Sequence, residues 1–168
     1  TRNQVNGGDL PTSLAEGSAI PTTGMSSCRS DCMTCPDLKL NDSITSSVTS
    51  RVYETINHTN KIINCKLQNC VYRLTCKNCF VQYVGETVTP LHKRMNIHRK
   101  GKSGCEVLIN HFTNICPNSS VFIQILEILP GNGYKNGALD TEMSSLRKSR
   151  EDFWMKTIRT IYPYGLCD

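Results

Sequence analysis

Ten cysteines in a chain of 168 residues are the feature that most limits how this sequence can fold. Four of them form two close pairs, Cys32 with Cys35 and Cys76 with Cys79, and two residues separate the members of each pair. This spacing allows both thiolates of a pair to bind one tetrahedral metal ion. The pattern therefore favours a small fold that is held together by metal sites.

A second interpretation of the cysteines is a secreted protein with disulfide bonds. An even cysteine count is typical of such proteins, and the sequence has glycosylation sequons at Asn41, Asn57 and Asn118. Residues 1–30, however, have no apolar core like that of a signal peptide, and no segment is apolar and long enough to cross a membrane. Intracellular metal binding is favoured over secretion, but both interpretations stay open at this point.

Changes in residue composition divide the chain into three parts. Residues 1–27 are rich in Gly, Pro, Ser and Thr without apolar periodicity, which predicts a disordered linker. Residues 28–69 form a cysteine-rich connector, within which residues 43–59 are predicted as weak strand or loop. Residues 70–168 are long enough for one domain with an apolar core. The formal net charge of +5 is compatible with a polyanionic partner but is too small to indicate one.

Local patterns in the third part predict a small α+β domain. β-prone residues on both sides of the second cysteine pair predict a hairpin over residues 70–85. The other elements are predicted at residues 90–98 (helix), 107–112 (short helix), 121–129 (strand) and 140–161 (helix). The expected architecture is a three-stranded antiparallel sheet flanked by helices.

Five side chains in these elements have chemistry that suits phosphate or metal binding. Tyr72 and Tyr83 lie on the two arms of the hairpin. Arg94 and His98 are four residues apart, so they share one helix face and can point at one phosphate. Glu151 lies at the border of an apolar stripe, where a carboxylate is unfavourable unless it is paired or binds a metal.

Each of these residues also has a plain structural interpretation. Tyrosines are common in strands because they pack well there. A helix that carries Arg94 and His98 also fits a solvated basic face. Glu151 also fits an ion pair with Arg147, one helical turn earlier.

The order of these features, rather than any one of them, resembles the GIY-YIG endonuclease superfamily. The matching motifs are Cys70-Val71-Tyr72, Tyr83-Val84-Gly85, Arg94 with His98 four residues later, and Glu151. The resemblance implies the GIY-YIG nuclease fold. It also implies a DNA endonuclease that hydrolyses phosphodiester bonds with one Mg²⁺ or Mn²⁺ ion.

A narrower resemblance concerns the endonuclease domain of Penelope-like retroelements. Two cysteines between the tyrosine motifs, a cysteine-rich segment upstream and a Gly165-Leu166 pair near the end are similar to that branch. It implies nicking of target DNA for insertion, with an upstream reverse transcriptase in the same polypeptide. It further implies a nuclear location and element RNA as an additional partner, and no membrane is expected.

The superfamily resemblance also implies a role for each matched residue. Tyr72 would position or deprotonate the attacking water, and Tyr83 would hydrogen-bond the scissile phosphate or that water. Arg94 would hold phosphate oxygens and Glu151 would bind the catalytic metal. Gly85 and, in the general superfamily, the residue at His98 would support the site.

Cys167 is a departure from the superfamily pattern, because an asparagine often stands at this place. A thiol does not present the paired donor and acceptor of an amide. The activity of this copy is therefore expected to be weakened or lost. The alternative function is a catalytically decayed, zinc-stabilised DNA-binding module.

The cysteines and histidines predict two candidate zinc sites. The first consists of Cys76, Cys79, His98 and His111, a composition that the Penelope-like resemblance also implies. Because His98 cannot serve zinc and the active site at once, we favour zinc for it. The second set consists of Cys28, Cys32, Cys35 and Cys65. The two cysteines without an expected metal partner, Cys105 and Cys116, are predicted to be packing or surface thiols.

Overall fold

The structure is a computed structural model that describes residues 28, 29 and 31–168. The predicted linker, residues 1–27, lies outside this part of the chain. The described strands are β1 (Leu38–Lys39), β2 (Ser43–Thr45), β3 (Val52–Glu54), β4 (Ile56–Asn57), β5 (Cys70–Cys76), β6 (Gln82–Thr87), β7 (Val121–Ile128), β8 (Tyr134–Lys135) and β9 (Ala138–Leu139). The α-helices are α1 (Leu91–Arg99), α2 (Glu106–Asn110) and α3 (Thr141–Ile158), and a π-helical turn at His111–Ile115 continues α2. The predicted α+β class is confirmed.

The central sheet is built around β5, which pairs antiparallel with β6 on one side and with β7 on the other. These are the three antiparallel strands that the sequence predicts. The sheet nevertheless has five strands, because β1 and β4 pair parallel with the outer edge of β7. An uncovered edge of β7 would leave backbone N–H and C=O groups unpaired, and these two short strands satisfy them.

The cysteine-rich connector packs on the domain. Leu38, Ile44 and Leu67 belong to the same buried apolar cluster as the central strands. The buried Ser46 hydroxyl donates to the Ile158 carbonyl at 2.7 Å, which attaches the connector to the last residue of α3. Residues 43–59, for which the sequence predicts only weak strand or loop, contain the antiparallel pair β2–β3 as well as β4.

Helix α3 begins at Thr141 because the Asp140 side chain accepts a hydrogen bond from the Met143 N–H, a normal N-cap. It ends at Ile158, three residues before the predicted end, because Arg159 adopts the left-handed conformation. Its buried face carries Arg147, Trp154 and Ile158. Two apolar residues of the same helix, Leu146 and Phe153, are exposed.

One buried carboxylate fixes α3 against the sheet. Glu127 on β7 is 1% exposed and accepts hydrogen bonds from Arg150 Nε (2.8 Å) and Trp154 Nε1 (2.8 Å) of α3. His58 Nε2 lies 2.8 Å from the same carboxylate. A buried charge without such partners would cost several kcal/mol. These contacts fix the rotation of α3 and therefore the direction of Glu151, the residue next to Arg150.

None of the helices in the described part of the chain is long and apolar enough to span a membrane.

Candidate active site and metal-binding clusters

The Tyr72 hydroxyl is the centre of the candidate active site. Tyr72 lies on β5 with a fully buried side chain, and its Oη lies 2.6 Å from His98 Nε2. Arg94 Nε donates a hydrogen bond to the same oxygen at 3.1 Å. Arg94 and His98 are one turn apart on α1, so the helix presents both side chains to one strand residue. The three predicted residues are therefore brought together.

Gly85 allows the two tyrosines to approach each other. It is the Cα partner of Tyr72 across the β5–β6 pair. A Cβ atom at Gly85 would lie 2.6 Å from Tyr72 Oη and 2.7 Å from Tyr83 Cε1, distances shorter than any normal contact. The rings of Tyr72 and Tyr83 thus occupy the space above the glycine, with centroids 6.5 Å apart. The Tyr83 ring also packs edge-on against His98 at 5.5 Å.

The two aromatic acid–base groups are both neutral near pH 7. Burial, followed by the charges of Arg94 and Arg99, lowers the pKa of His98 to about 3. Burial and the neighbouring Tyr83 raise the pKa of Tyr72 well above its usual value, and Arg94 opposes this rise only in part. Because Arg94 donates to Tyr72 Oη, the phenol proton is free to be donated to His98 Nε2. His98 Nδ1 is buried and has no hydrogen-bond partner among the described residues.

Glu151 on α3 joins this group as an unusually basic carboxylate. Burial, followed by the charge of Glu86, raises its pKa to about 7, while the Glu86 N–H and Arg94 oppose the rise. Burial also raises the pKa of Tyr83, and the Glu151 charge adds to this effect. Glu151 therefore lies within electrostatic range of both Tyr83 and Arg94.

The ion pair between Glu151 and Arg147, which the sequence left open, does not form. Arg147 is 2% exposed and its Nε pairs with the Glu86 carboxylate at 2.5 Å. Glu86 is not among the residues that the sequence predicts for the site, although it directly follows Gly85. Two neighbouring carboxylates, Glu86 and Glu151, supply the hard oxygen donors that Mg²⁺ prefers.

Cys167 lies at the outer edge of β6, where its thiol is also within electrostatic range of Tyr83 and Glu151. Its Sγ accepts a hydrogen bond from the Val84 N–H at 3.2 Å and lies 3.4 Å from the Val84 carbonyl oxygen, to which the thiol donates. The Leu166 N–H donates to the Gln82 carbonyl at 2.9 Å. The C-terminal segment thus covers the free edge of β6. The single sulfur atom thus contacts one backbone donor and one backbone acceptor, with hydrogen bonds that are weaker than those of an amide.

The first metal-binding cluster differs from the predicted one in a single residue. Its members, whose ligand atoms all lie within 4.8 Å of one another, are Cys76, Cys79, His111 and Cys116. The prediction was wrong about His98, which is not among these residues but contacts Tyr72. It was also wrong that Cys116 lacks a metal-binding partner. The π-helical turn after α2 brings Cys116 back towards His111.

Thiolate chemistry in this first cluster suits a metal. Burial opposes ionisation of Cys76, but hydrogen bonds from His111, Ser119 and backbone N–H groups lower the pKa of its thiol to about 6. Cys79 Sγ lies 3.6 Å from His111 Nε2. A tetrahedral zinc ion with Zn–S bonds of about 2.3 Å separates its ligand atoms by about 3.8 Å, which is close to this spacing.

The second cluster consists of the four predicted cysteines, Cys28, Cys32, Cys35 and Cys65. Their Sγ atoms also lie within 4.8 Å of one another. All ten cysteines of the chain are free thiols. Both clusters can therefore hold a metal ion.

A comparison with protein families identifies the fold. The model of the GIY-YIG catalytic domain matches residues 68–160, more than half of the chain. The match covers Tyr72, Tyr83, Arg94 and Glu151 as well as the first metal-binding cluster. Comparisons with curated proteins and with solved structures found no significant match. The chain therefore belongs to the GIY-YIG family, whose domain is a nuclease that hydrolyses DNA.

Proposed function

We propose that this chain is a divalent-metal-dependent DNA endonuclease with Tyr72, Tyr83, Arg94 and Glu151 as its catalytic residues. The observation that carries the proposal is the Tyr72 hydroxyl, which is held between Arg94 (3.1 Å) and His98 (2.6 Å), while the basic carboxylate of Glu151 lies within electrostatic range of Arg94. A plain core tyrosine has no need of two polar partners from one helix.

The neutral state of Tyr72 and His98 supports a proton relay. A free phenol with its pKa above 10 is a poor base at neutral pH. Here, Tyr72 Oη accepts a proton from the attacking water while its own proton passes to His98 Nε2. The water oxygen forms the new bond to phosphorus, and the bond to the leaving oxygen breaks. Phosphate charges of the bound DNA favour the resulting imidazolium, which burial and the charges of Arg94 and Arg99 disfavour in the free protein.

The remaining catalytic residues act on the phosphate. The Arg94 guanidinium donates to non-bridging oxygens and stabilises their growing charge. Tyr83 hydrogen-bonds the phosphate or the water. Glu151, together with the nearby Glu86 carboxylate, fits a Mg²⁺ or Mn²⁺ ion, which would polarise the phosphate and stabilise the leaving oxygen.

Nicking of a supercoiled plasmid in the presence of Mg²⁺ tests this assignment. We expect the wild-type chain to produce open circles and Glu151→Ala to lose the activity. Glu142→Ala is the matched control, since Glu142 is an exposed carboxylate on the same helix. Equal nicking by Glu151→Ala and the wild type would overturn the role of Glu151.

A second candidate function is a zinc-stabilised DNA-binding module that no longer cleaves. The observation that favours it is Cys167, which makes sulfur hydrogen bonds to Val84 at a place where the family often has asparagine. Sulfur bonds hold the β6 edge less firmly than amide bonds. DNA binding without cleavage, at every divalent metal tried, would support this function over the first.

We also propose zinc as the ion of the first metal-binding cluster, in a Cys₃His set. Three thiolates and one imidazole are typical of structural zinc sites. The site would connect the β5–β6 turn to the segment after α2. Metal analysis of the purified chain, with Cys79→Ser as the variant that loses this ion, tests the assignment.

The affiliation with Penelope-like retroelements is a further part of the proposal. It is supported by the position of Cys76 and Cys79 between the tyrosine motifs and by the cysteine-rich segment before them. Residues 1–27 would then link an upstream reverse transcriptase to the nuclease domain, and the protein would act in the nucleus. Sequencing of the reading frame upstream of Thr1 tests this, because a frame without reverse transcriptase motifs would contradict it.

A further inference from the structure

The four-thiolate cluster of Cys28, Cys32, Cys35 and Cys65 joins two segments that are far apart in sequence. Cys65 Sγ lies 3.3 Å from Cys28 Sγ, and all four sulfur atoms fit within 4.8 Å. Cys35 and Cys65 are buried, whereas Cys28 is exposed and Cys32 is half-buried. Apolar burial therefore does not explain why the four converge. Four thiolates at this spacing are the donor set of a closed tetrahedral zinc site.

The Cys65 side of the cluster holds the N-terminal end of α1. The Cys65 carbonyl accepts hydrogen bonds from the His92 N–H (2.8 Å) and from His92 Nδ1 (3.0 Å). The Leu67 carbonyl accepts from the Leu91 N–H at 2.8 Å. The N-cap residue of α1 is Pro90, which offers no side-chain cap. The first N–H groups of α1 are thus satisfied by the segment next to Cys65 and not by a local cap.

The other side of the cluster holds the C-terminal end of the same helix. Arg99, the last residue of α1, donates from Nη2 to the Met33 carbonyl at 2.7 Å and from Nη1 to Thr34 Oγ1 at 3.2 Å. Met33 and Thr34 are the two residues between Cys32 and Cys35. Both ends of α1 therefore contact residues of the cluster or their immediate neighbours.

Helix α1 carries Arg94 and His98, the two partners of the Tyr72 hydroxyl. We propose that a zinc ion bound by Cys28, Cys32, Cys35 and Cys65 clamps α1 at both ends and thereby positions Arg94 and His98 against Tyr72. The metal site stands independently of the nuclease assignment, whereas its effect on cleavage rests on the proposed function. The cluster lies outside the family match at residues 68–160.

Metal content and hydrogen exchange together test the clamp. We expect about two zinc ions per wild-type chain, and one in Cys32→Ser. Cys79→Ser, which affects the other cluster, is the matched control that also loses one ion. Cys32→Ser alone is expected to speed amide exchange in α1 at least tenfold while exchange in β5 stays slow. Plasmid nicking should fall by about 10- to 100-fold, because small displacements of catalytic groups cost this much.

Several results would overturn the proposal. Unchanged zinc content in Cys32→Ser would remove the metal site, and so would a Cys28–Cys65 disulfide in the native protein. Loss of zinc without faster exchange in α1 would remove the clamp. If Cys32→Ser unfolds the whole chain, Arg99→Gln decides: it should keep both zinc ions but loosen α1, and unchanged exchange there would contradict the clamp. A wild-type chain that never nicks DNA would defeat the nuclease assignment, while metal content and exchange would still decide the clamp.

Discussion

Replacement of Glu151 by glutamine is expected to make the protein more stable and inactive. Glu151 is half-buried, and burial together with Glu86 raises its pKa from 4.5 to about 7. A shift of this size corresponds to an upper limit of about 3 kcal/mol. Because the side chain is partly exposed and solvent screens its charge, we expect about 1–2 kcal/mol in practice. Glutamine keeps the shape and the hydrogen bonds but carries no charge.

The effect of Glu151→Gln on the free energy of unfolding is expected to depend on pH. The folded-state pKa of Glu151 lies above that of the unfolded chain, so folding favours the protonated carboxyl. This contribution to stability is fully present below about pH 4.5 and is lost as the pH rises through about 7. The glutamine variant should therefore match the wild type at pH 5 and exceed its free energy of unfolding at pH 8.

Urea denaturation at pH 5 and pH 8, without added Mg²⁺, measures the difference. Mg²⁺ at pH 8 should then stabilise the wild type but not Glu151→Gln, since only the carboxylate binds the ion. Glu142→Gln, which removes an exposed carboxylate from the first turn of the same helix, should gain no stability at pH 8 and should respond to Mg²⁺ as the wild type does. If the glutamine variant is less stable than the wild type at pH 8, the charge of Glu151 does not destabilise the fold, and the proposal that this carboxylate lacks an ion-pair partner and binds a metal is refuted.

Three further predictions, two of them with a control variant, concern other parts of the structure. Gly85→Ala should lower the free energy of unfolding by about 1–3 kcal/mol through overpacking and should stop nicking, because the new Cβ would lie 2.6 Å from Tyr72 Oη. Gly137→Ala is the control: its Cβ would have no neighbour within 4 Å, so the strain of an alanine at a φ of +80° should lower stability but leave nicking intact. Cys116→Ser should lose one zinc ion by metal analysis, whereas His98→Ala should keep it, and the reverse would restore the predicted Cys₂His₂ set. Glu127→Gln should destabilise the fold by about 2–3 kcal/mol in urea denaturation, and an unchanged midpoint would contradict its role in holding α3.

Short-range patterns in the sequence account for the parts of the site that it predicts well. Tyr72 and Gly85 face each other because a hairpin with a short turn fixes their register, and alternation along β5 and β6 sets their face. Arg94 and His98 meet one partner because helical spacing places them on one face. These relations need only local geometry and the order of the elements.

The incorrect sequence-based predictions concern features that depend on tertiary structure. Strands β1 and β4 have two residues each, too few for an alternating pattern to be visible. Cys116 reaches the first metal-binding cluster through a π-helical turn, whose period differs from the 3.6 residues of an α-helix. Arg147 forms its ion pair with Glu86 because α3 crosses β6 at that point, so the predicted pair between Arg147 and Glu151 does not form. None of these three features can be recognised from the spacing of residues in the sequence.

We propose above that the Tyr72 hydroxyl takes part in DNA hydrolysis. The most direct measurement is the single-turnover rate of plasmid nicking with Mg²⁺ for the wild type, Tyr72→Phe and Tyr134→Phe. Tyr72→Phe keeps the buried ring and removes only the oxygen that Arg94 and His98 contact, whereas Tyr134 is an exposed tyrosine on β8. We predict that the wild type and Tyr134→Phe nick the plasmid at similar rates and that the rate of Tyr72→Phe is lower by a factor of at least about 100. Equal rates for Tyr72→Phe and the wild type would contradict the account.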